Sequence, residues 1–233
     1  MKLSVAVPTY SVPGGDQLFK RLLDSLWIQT FQDFEVVVTD NSDDDVIKNI
    51  CIEYGGAQNS PLGICYYRNP IKGMAQNTNE AIRKSKGELI KILYMDDYLY
   101  VSKSLEFIVE HFDGYWLVTS CRHTTTGDDT FNTHDPYYSD DIHKGKNTIG
   151  SPSVLTIKNE DPLFFDENMT WLLDCDYYKR MNEKYGKPTI LKHINVIIGL
   201  HENQATHTMG EERKLQEHKY IDKKYDTTFK ANI

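Results

Sequence analysis

Two adjacent carboxylates, Asp96 and Asp97, follow the run Leu89-Ile90-Lys91-Ile92-Leu93. That nearly continuous apolar run reads as a β-strand buried on both faces. In open α/β sheets, ligands bind beyond the carboxyl ends of the strands, which is where the pair falls. One or two carboxylates, with phosphate oxygens filling the remaining positions, commonly hold Mg2+ or Mn2+. Two aspartates ahead of a helix also serve as its caps, and spacing alone leaves both readings open. Two familiar phosphate-binding devices are missing. No Gly-x-Gly-x-x-Gly follows the first strand, and no Gly-Lys-Ser/Thr P-loop occurs anywhere. A cation on carboxylates is the natural substitute.

Such a site needs a sheet beneath it, and the chain encodes one. Residues 4–7 form a short apolar strand stopped by Pro8, and Asp16 is placed to cap a helix. Residues 17–28 carry Leu18, Leu22, Leu23, Leu26 and Trp27 at helical spacing. The second strand, 35–39, also ends on a carboxylate, Asp40. Ser42 or Asp43 then caps a helix that runs to Tyr54 and stops at Gly55-Gly56. A third strand at 63–68 and a helix at 74–84 precede the strand at Leu89. Strands alternating with helices at spacings of about 30 residues predict a parallel sheet with right-handed crossovers, a nucleotide-binding type of half-domain.

Beyond Asp97 the pattern changes. A helix begins at Ser102 or Ser104, and a strand covers 115–121. Residues 123–150 are polar and aperiodic, an excursion of the kind that is usually functional or mobile. Order returns at 151–157, a helix is predicted at 174–185 and a strand at 188–198. From Glu211 the mixed charges predict a solvated or surface-packed helix.

Composition sets outer bounds. The 233 residues are 39% hydrophobic and 26% charged, enough for one large α/β domain with a substantial core. A net charge of −8 argues against wrapping nucleic acid. Cys51, Cys65, Cys121 and Cys175 form no CxxC pair, so reduced thiols in a cytosolic setting are expected. Met1-Lys2-Leu3 leads straight into a strand, so no secretory signal is expected. The apolar run around 196–200 is too short to span a bilayer. The expected location is cytoplasmic, with peripheral membrane attachment left open.

A resemblance sharpens this reading. Val7-Pro8-Thr9-Tyr10, the helix end Ser25-Leu26-Trp27-Ile28-Gln29-Thr30, and Asp33-Phe34-Glu35-Val36-Val37-Val38-Thr39-Asp40-Asn41-Ser42 resemble the N-terminal half of inverting family 2 glycosyltransferases of the GT-A fold. The match continues through Asn77, Ala81, Ile82, Ser85, Gly87 and Glu88 to Asp96-Asp97. Trp171-Leu172-Leu173-Asp174-Cys175-Asp176 resembles the family's Glu-Asp-x-Asp segment, and Leu200-His201-Glu202-Asn203-Gln204-Ala205-Thr206 its closing His-containing element. Order and spacing hold over roughly residues 3–208.

The resemblance implies a single GT-A domain over 1–233, Rossmann-like, with a mostly parallel central sheet and helices on both faces. Residues 1–100 would form its nucleotide-binding half, 101–210 its acceptor-side half and 211–233 a C-terminal tail. It implies that Pro8, Thr9 and Tyr10 line a nucleotide pocket and that Asp40 accepts the base N–H. Asp97 would be the direct ligand of Mn2+ or Mg2+, with Asp96 nearer the ribose and His201 touching the metal or the diphosphate. Asp174 would be the catalytic base. Gly150, Ser151, Trp171 and Asp176 would border acceptor or donor sugar. Arg68 and Lys72 are candidates for phosphate or for the surface, and Tyr177 and Tyr178 for sugar stacking or for the core. Two departures stand out: Tyr94 replaces an acid common in relatives, and Leu173 replaces the usual Glu.

The implied activity is metal-dependent, inverting sugar transfer from a nucleotide-diphosphate sugar, UDP favoured, to a hydroxyl of a glycan-type acceptor. The acidic chain disfavours a nucleic-acid acceptor, and homo-oligomerisation is left open. Two alternatives remain. One is a non-catalytic nucleotide-sugar-binding module of the same fold, kept alive by Tyr94 and Leu173. The other is a sugar-phosphate nucleotidyltransferase, which would need a basic Gly-rich loop where residues 11–16 offer no cation.

Overall fold

A computed structural model describes residues 1–58, 60–202 and 204–225. Strand β1 (Leu3–Thr9) is buried along its whole length and lies between β2 (Phe34–Asp40) and β4 (Leu89–Ile92), with β3 (Ile64–Arg68) outside β2. All three pairings are parallel. Helix α1 (Gly15–Trp27) buries Phe19, Leu22, Leu23 and Leu26, one apolar stripe at three- and four-residue spacing. Helices α2 (Val46–Gly55) and α3 (Met74–Lys84) complete the crossovers.

The chain therefore builds outward from β1 to β3 and then jumps back across β1 to place β4. That reversal opens a crevice at the carboxyl ends of β1 and β4. The β1–β4 ladder covers only Leu3 to Ala6, so Pro8 lies past its end, where its missing N–H costs no β4 bond.

Two predicted caps are corrected. Asp16 lies in the first turn of α1, whose cap is Gly14 at φ 75°, a left-handed conformation that glycine adopts without strain. Asp45, not Ser42 or Asp43, precedes α2. Ser42 is committed elsewhere, since its N–H and hydroxyl both donate to Asp40. Asp43 pairs with Lys72.

In the second half, β5 (Tyr98–Leu99) and α4 (Ser104–His111) lead to β6 (Trp116–Thr124). Strand β7 (Phe131–His134) pairs back on β6, and β8 (Leu155–Lys158) inserts antiparallel between β4 and β6. Helix α5 (Leu173–Tyr185) precedes β9 (Thr189–Gly199), which runs parallel to β6. The sheet order is β3-β2-β1-β4-β8-β6-β9-β5, with β7 on β6. Strands β1, β2, β3, β4, β6 and β9 share one direction. The expectation of a largely parallel central sheet holds, and β8 is its main exception.

The 123–150 excursion is anchored rather than loose. It forms the β6–β7 hairpin and a 3-10 turn at Ile142–Lys144, and Ile142 and Ile149 are fully buried. Helices α6 (Ala205–Thr208) and α7 (Glu211–Tyr225) follow β9. Helix α7 is mostly exposed, yet it buries Glu217 and Ile221. Residues 226–233 of the predicted tail, and Asn203 of the predicted closing element, lie outside the described residues. Among the described residues no helix is long and apolar enough to cross a membrane.

Candidate active site

A cleft of about 630 Å³ opens at the crevice between β1 and β4, a volume suited to a small-molecule ligand. Its lining includes Pro8, Tyr10, Asn41 and Lys72. Asp96, Asp97, Ser151, His201, Trp171 and Asp174 also line it. The structure thus brings eight predicted site residues into one cavity. Thr9, Asp40, Gly150 and Asp176 do not line it.

Each outlier has a physical reason. The side chain of Thr9 is fully buried, and its hydroxyl donates to the carbonyl of Thr39. Asp40 is also fully buried, with Oδ1 taken by Ser42 and Oδ2 accepting the Tyr66 hydroxyl at 2.7 Å. Its carboxylate braces the loop after β2 and is buried away from the cleft. Gly150 borders the site only through its carbonyl, which accepts from Tyr178 and Asn147. Asp176 is fully buried behind α5, bound by Arg180, Lys224 and Tyr225 at 2.7 Å each. The expectation that Asp176 touches a sugar is therefore corrected.

The two adjacent aspartates divide their work. Asp97 is buried, accepts the Gly199 N–H at 2.9 Å on Oδ1 and the Ser151 hydroxyl at 3.3 Å on Oδ2. Burial, and then the Asp96 charge, push its carboxyl well above the usual range. Asp96 reaches the cleft, where Oδ2 meets His201 Nε2 at 3.0 Å and Gln204 Nε2 at 3.4 Å. Its backbone carbonyl accepts from Arg21 at 3.2 Å. A Cβ at Gly199 would lie 2.2 Å from that same carbonyl oxygen, so only glycine lets β9 pass this close.

This geometry tests the fit of a cation. Asp96 and His201 are hard or borderline donors already within 3.0 Å of each other, and His201 Nδ1 is buried without a partner. Among the described residues no cluster of three or more such ligands exists. Two protein donors fit a cation whose remaining positions are filled by phosphate and water. Both aspartates line the cleft, Asp96 meeting His201 there and Asp97 held by the Gly199 N–H and the Ser151 hydroxyl.

Asp174 sits in the first turn of α5, at the cleft. Burial pushes its carboxyl up to about 6, against the lowering effect of the Cys175 N–H and the Asn147 amide. Asn147 donates to Oδ2 at 2.7 Å and the Cys175 N–H to Oδ1 at 2.7 Å. The segment before α5 is held by Glu217 from α7, whose carboxylate accepts the N–H groups of Thr170, Trp171 and Leu172 at 2.8–3.0 Å. Tyr177 and Tyr178 are core residues, Tyr177 stacked on Phe165 and Tyr178 on Trp116. Arg68 braces Asp45 and Tyr66 at the surface, whereas Lys72 lines the cleft.

Three supporting residues escaped sequence reasoning. Lys91 is fully buried on β4, donates to the Ser153 carbonyl, and is pulled down to about 7 by burial. A lysine inside an apolar strand run was its visible signal, because buried lysines are rare. Glu217 shares a helix face with Ile221, four residues on, a weaker signal. Asn147 lies in aperiodic sequence and had none.

Comparison with known proteins agrees with this geometry. The model of glycosyl transferase family 2 matches residues 4–186. An uncharacterized glycosyltransferase from Rickettsia typhi is 28% identical over 101 residues, covering 43% of this chain and 29% of that protein. Glycosyltransferase GlyA from Streptococcus pneumoniae is 26% identical over 113 residues, 47% of this chain and 15% of that protein. The chain thus spans less than a third of the length of these relatives. The crystal structure of residues 1–349 of S. aureus TarS in complex with UDP-GlcNAc superposes with a TM-score of 0.69 at 20% identity, over 95% of this chain and 65% of that one. Mannosyltransferase PcManGT from Pyrobaculum calidifontis, in complex with GDP-Man and Mn2+, gives 0.64 at 18% identity, over 87% and 58%. The fold is that of GT-A glycosyltransferases, and with the family model covering most of its length the chain belongs to glycosyl transferase family 2.

Proposed function

We propose that the protein is a metal-dependent, inverting glycosyltransferase that moves a sugar from a nucleotide-diphosphate sugar to a hydroxyl of a glycan-type acceptor. The observation that carries this reading is one cleft lined by Asp96 with His201 and by Asp174. UDP is the favoured nucleotide, supported by the complexes of TarS, and GDP stays open on the strength of the mannosyltransferase.

Tyr10, exposed at the mouth of the cleft, and Pro8 contact the nucleoside, and Lys72 faces phosphate. Asp96 and His201 would hold a divalent cation, which would supply positive charge against the leaving nucleoside diphosphate. Asp174 takes the proton of the acceptor hydroxyl as that oxygen attacks the anomeric carbon. The bond from carbon to the diphosphate oxygen breaks with its electron pair, and the configuration inverts. A carboxyl at about 6 is mostly ionised at neutral pH and still basic enough to accept that proton. Trp171, at 5.5 Å from Lys214 Nζ over its ring, forms the acceptor-side wall.

Donor hydrolysis and transfer across a panel of nucleotide sugars with Mn2+, for the wild type and Asp174→Asn, test the reading. Full activity in Asp174→Asn would sink it. Tyr94 and Leu173, in place of family acids, favour a second reading as a non-catalytic binding module. Calorimetry with UDP and Mn2+ beside a turnover assay separates the two, since a module binds without consuming donor.

A further inference from the structure

The aperiodic segment between β6 and β8 ends on a side chain whose hydrogen-bonding capacity is spent in the site. Asn147 Oδ1 accepts the N–H groups of Ile149 at 3.0 Å and Gly150 at 2.8 Å. Its Nδ2 donates to the Gly150 carbonyl at 3.0 Å and to Asp174 Oδ2 at 2.7 Å. These partners assign the amide's orientation. Turned over, it would set its NH2 against two N–H donors and its oxygen against a carbonyl and a carboxylate. The Gly150 carbonyl is fixed a second time by the buried Tyr178 hydroxyl at 3.1 Å, so the turn is braced from α5 itself. Gly150 stands at φ 112°, a backbone conformation that favours glycine.

Among the described residues no cationic side chain pairs with Asp174 in this arrangement. The titratable groups that face it are the Tyr94 phenol from the segment after β4, and the Tyr178 phenol and Cys175 thiol from α5. Burial pushes all three upward, so each stays neutral. Leu173, immediately before it, is apolar and buried. A neutral donor is then the group that can hold the carboxylate in one rotamer without neutralising it. A hydrogen bond to the charged form of a carboxyl moves it by about one to two units.

We propose that Asn147 is a positioning residue of the transfer reaction, holding the Asp174 carboxylate in one orientation and favouring its charged form. The segment 123–150 thereby becomes part of the catalytic apparatus. Each Asp174 oxygen keeps a lone pair beyond the bond it already accepts, so the acceptor's proton has somewhere to go. This inference rests on Asp174 being the base.

The test measures release of UDP from UDP-GlcNAc and of GDP from GDP-mannose, with Mn2+ and water as acceptor, against pH. In Asn147→Ala we expect kcat to fall about tenfold, donor KM to stay within about twofold, and the acid limb to move up by about one unit. Asn147→Asp keeps the acceptor for the Ile149 and Gly150 N–H groups, so the turn survives. It faces carboxylate with carboxylate, and about a hundredfold loss is expected, with a larger upward shift. Carbon-13 NMR titration of the Asp174 carboxyl reads the same shift without substrate, even in a protein that turns over nothing. An Asp174 that titrates as in the wild type in both variants overturns the inference. Wild-type turnover in Asp174→Asn instead overturns the assignment of the base, leaving the NMR result for Asn147 to stand or fall by itself.

Discussion

On the proposed reading, the nucleotide side and the acceptor side of the cleft are built by different means. On the nucleotide side, Asp96 and Asp97 stand at the end of β4, which is clamped between β1 and β8 by backbone ladders, and Asp97 is fixed by a backbone N–H of Gly199. On the acceptor side, Asp174 and Trp171 are held by side chains that arrive from distant segments, Asn147 from the excursion and Glu217 from α7. Backbone ladders tolerate many sequences, because every residue but proline supplies the same donors and acceptors. Side-chain ties depend on one residue each. Single substitutions are therefore expected to cripple the acceptor side selectively.

The sharpest way to expose that asymmetry is Asp174→Asn, expected to lower turnover by about 10³-fold while nucleotide affinity, measured by calorimetry, stays within about twofold. The same variant should melt about 2–4 °C higher at neutral pH. The native carboxyl titrates at about 6, above its value of roughly 3.9 in an unfolded chain. Between those values the native state binds more protons, so stability falls as pH rises, and the cost persists above 6. Scanning calorimetry of the pair reads the difference.

Next in size is Glu217→Ala, which strips an acceptor from three backbone N–H groups ahead of α5. A loss of about 2–3 kcal/mol is expected, roughly 5–10 °C in Tm, with kcat falling more than nucleotide affinity. Equal damage to nucleotide binding would erase the contrast between the two sides. Wild-type kcat should fall about tenfold for each unit of pH below about 6, as Asp174 takes up its proton, while nucleotide binding changes less. The smallest effect belongs to Lys72→Ala on the nucleotide side. Its pair with Asp43 is exposed, and removal should leave Tm nearly unchanged while raising donor KM.

The same contrast governs what could be read without coordinates. Strands β1 to β4 and helix α3 were legible because each is set by local periodicity, and α3 begins and ends where expected. The carboxylates at strand ends were legible as residues but not as directions. Asp40 and Asp97 turn inward onto hydroxyl and N–H partners that the fold brings from 26 and 102 residues away. Period-two patterning says where a strand ends, not which way the first loop residue points. Strands β5 and β7 were missed. The first has two residues, and the second has three of its four exposed, so neither leaves an apolar signature. Asp176 was misplaced because its partners, Lys224 and Tyr225, lie on a helix whose docking local sequence does not announce.

The bond from Gly199 to Asp97 also bears on the order in which the protein folds. It spans 102 residues, and Glu217 reaches back 45 to 47 residues to the segment before α5. The β1–β2 and β2–β3 units pair strands about 30 residues apart, whereas Asp97 reaches its final partner once β9 has docked. Contacts of long sequence separation form late and slowly. The fold should therefore nucleate in residues 3–68, with the geometry of the cleft completed last. In native-state hydrogen exchange, the amides of Trp171 and Leu172 should open before those of β1 and β2.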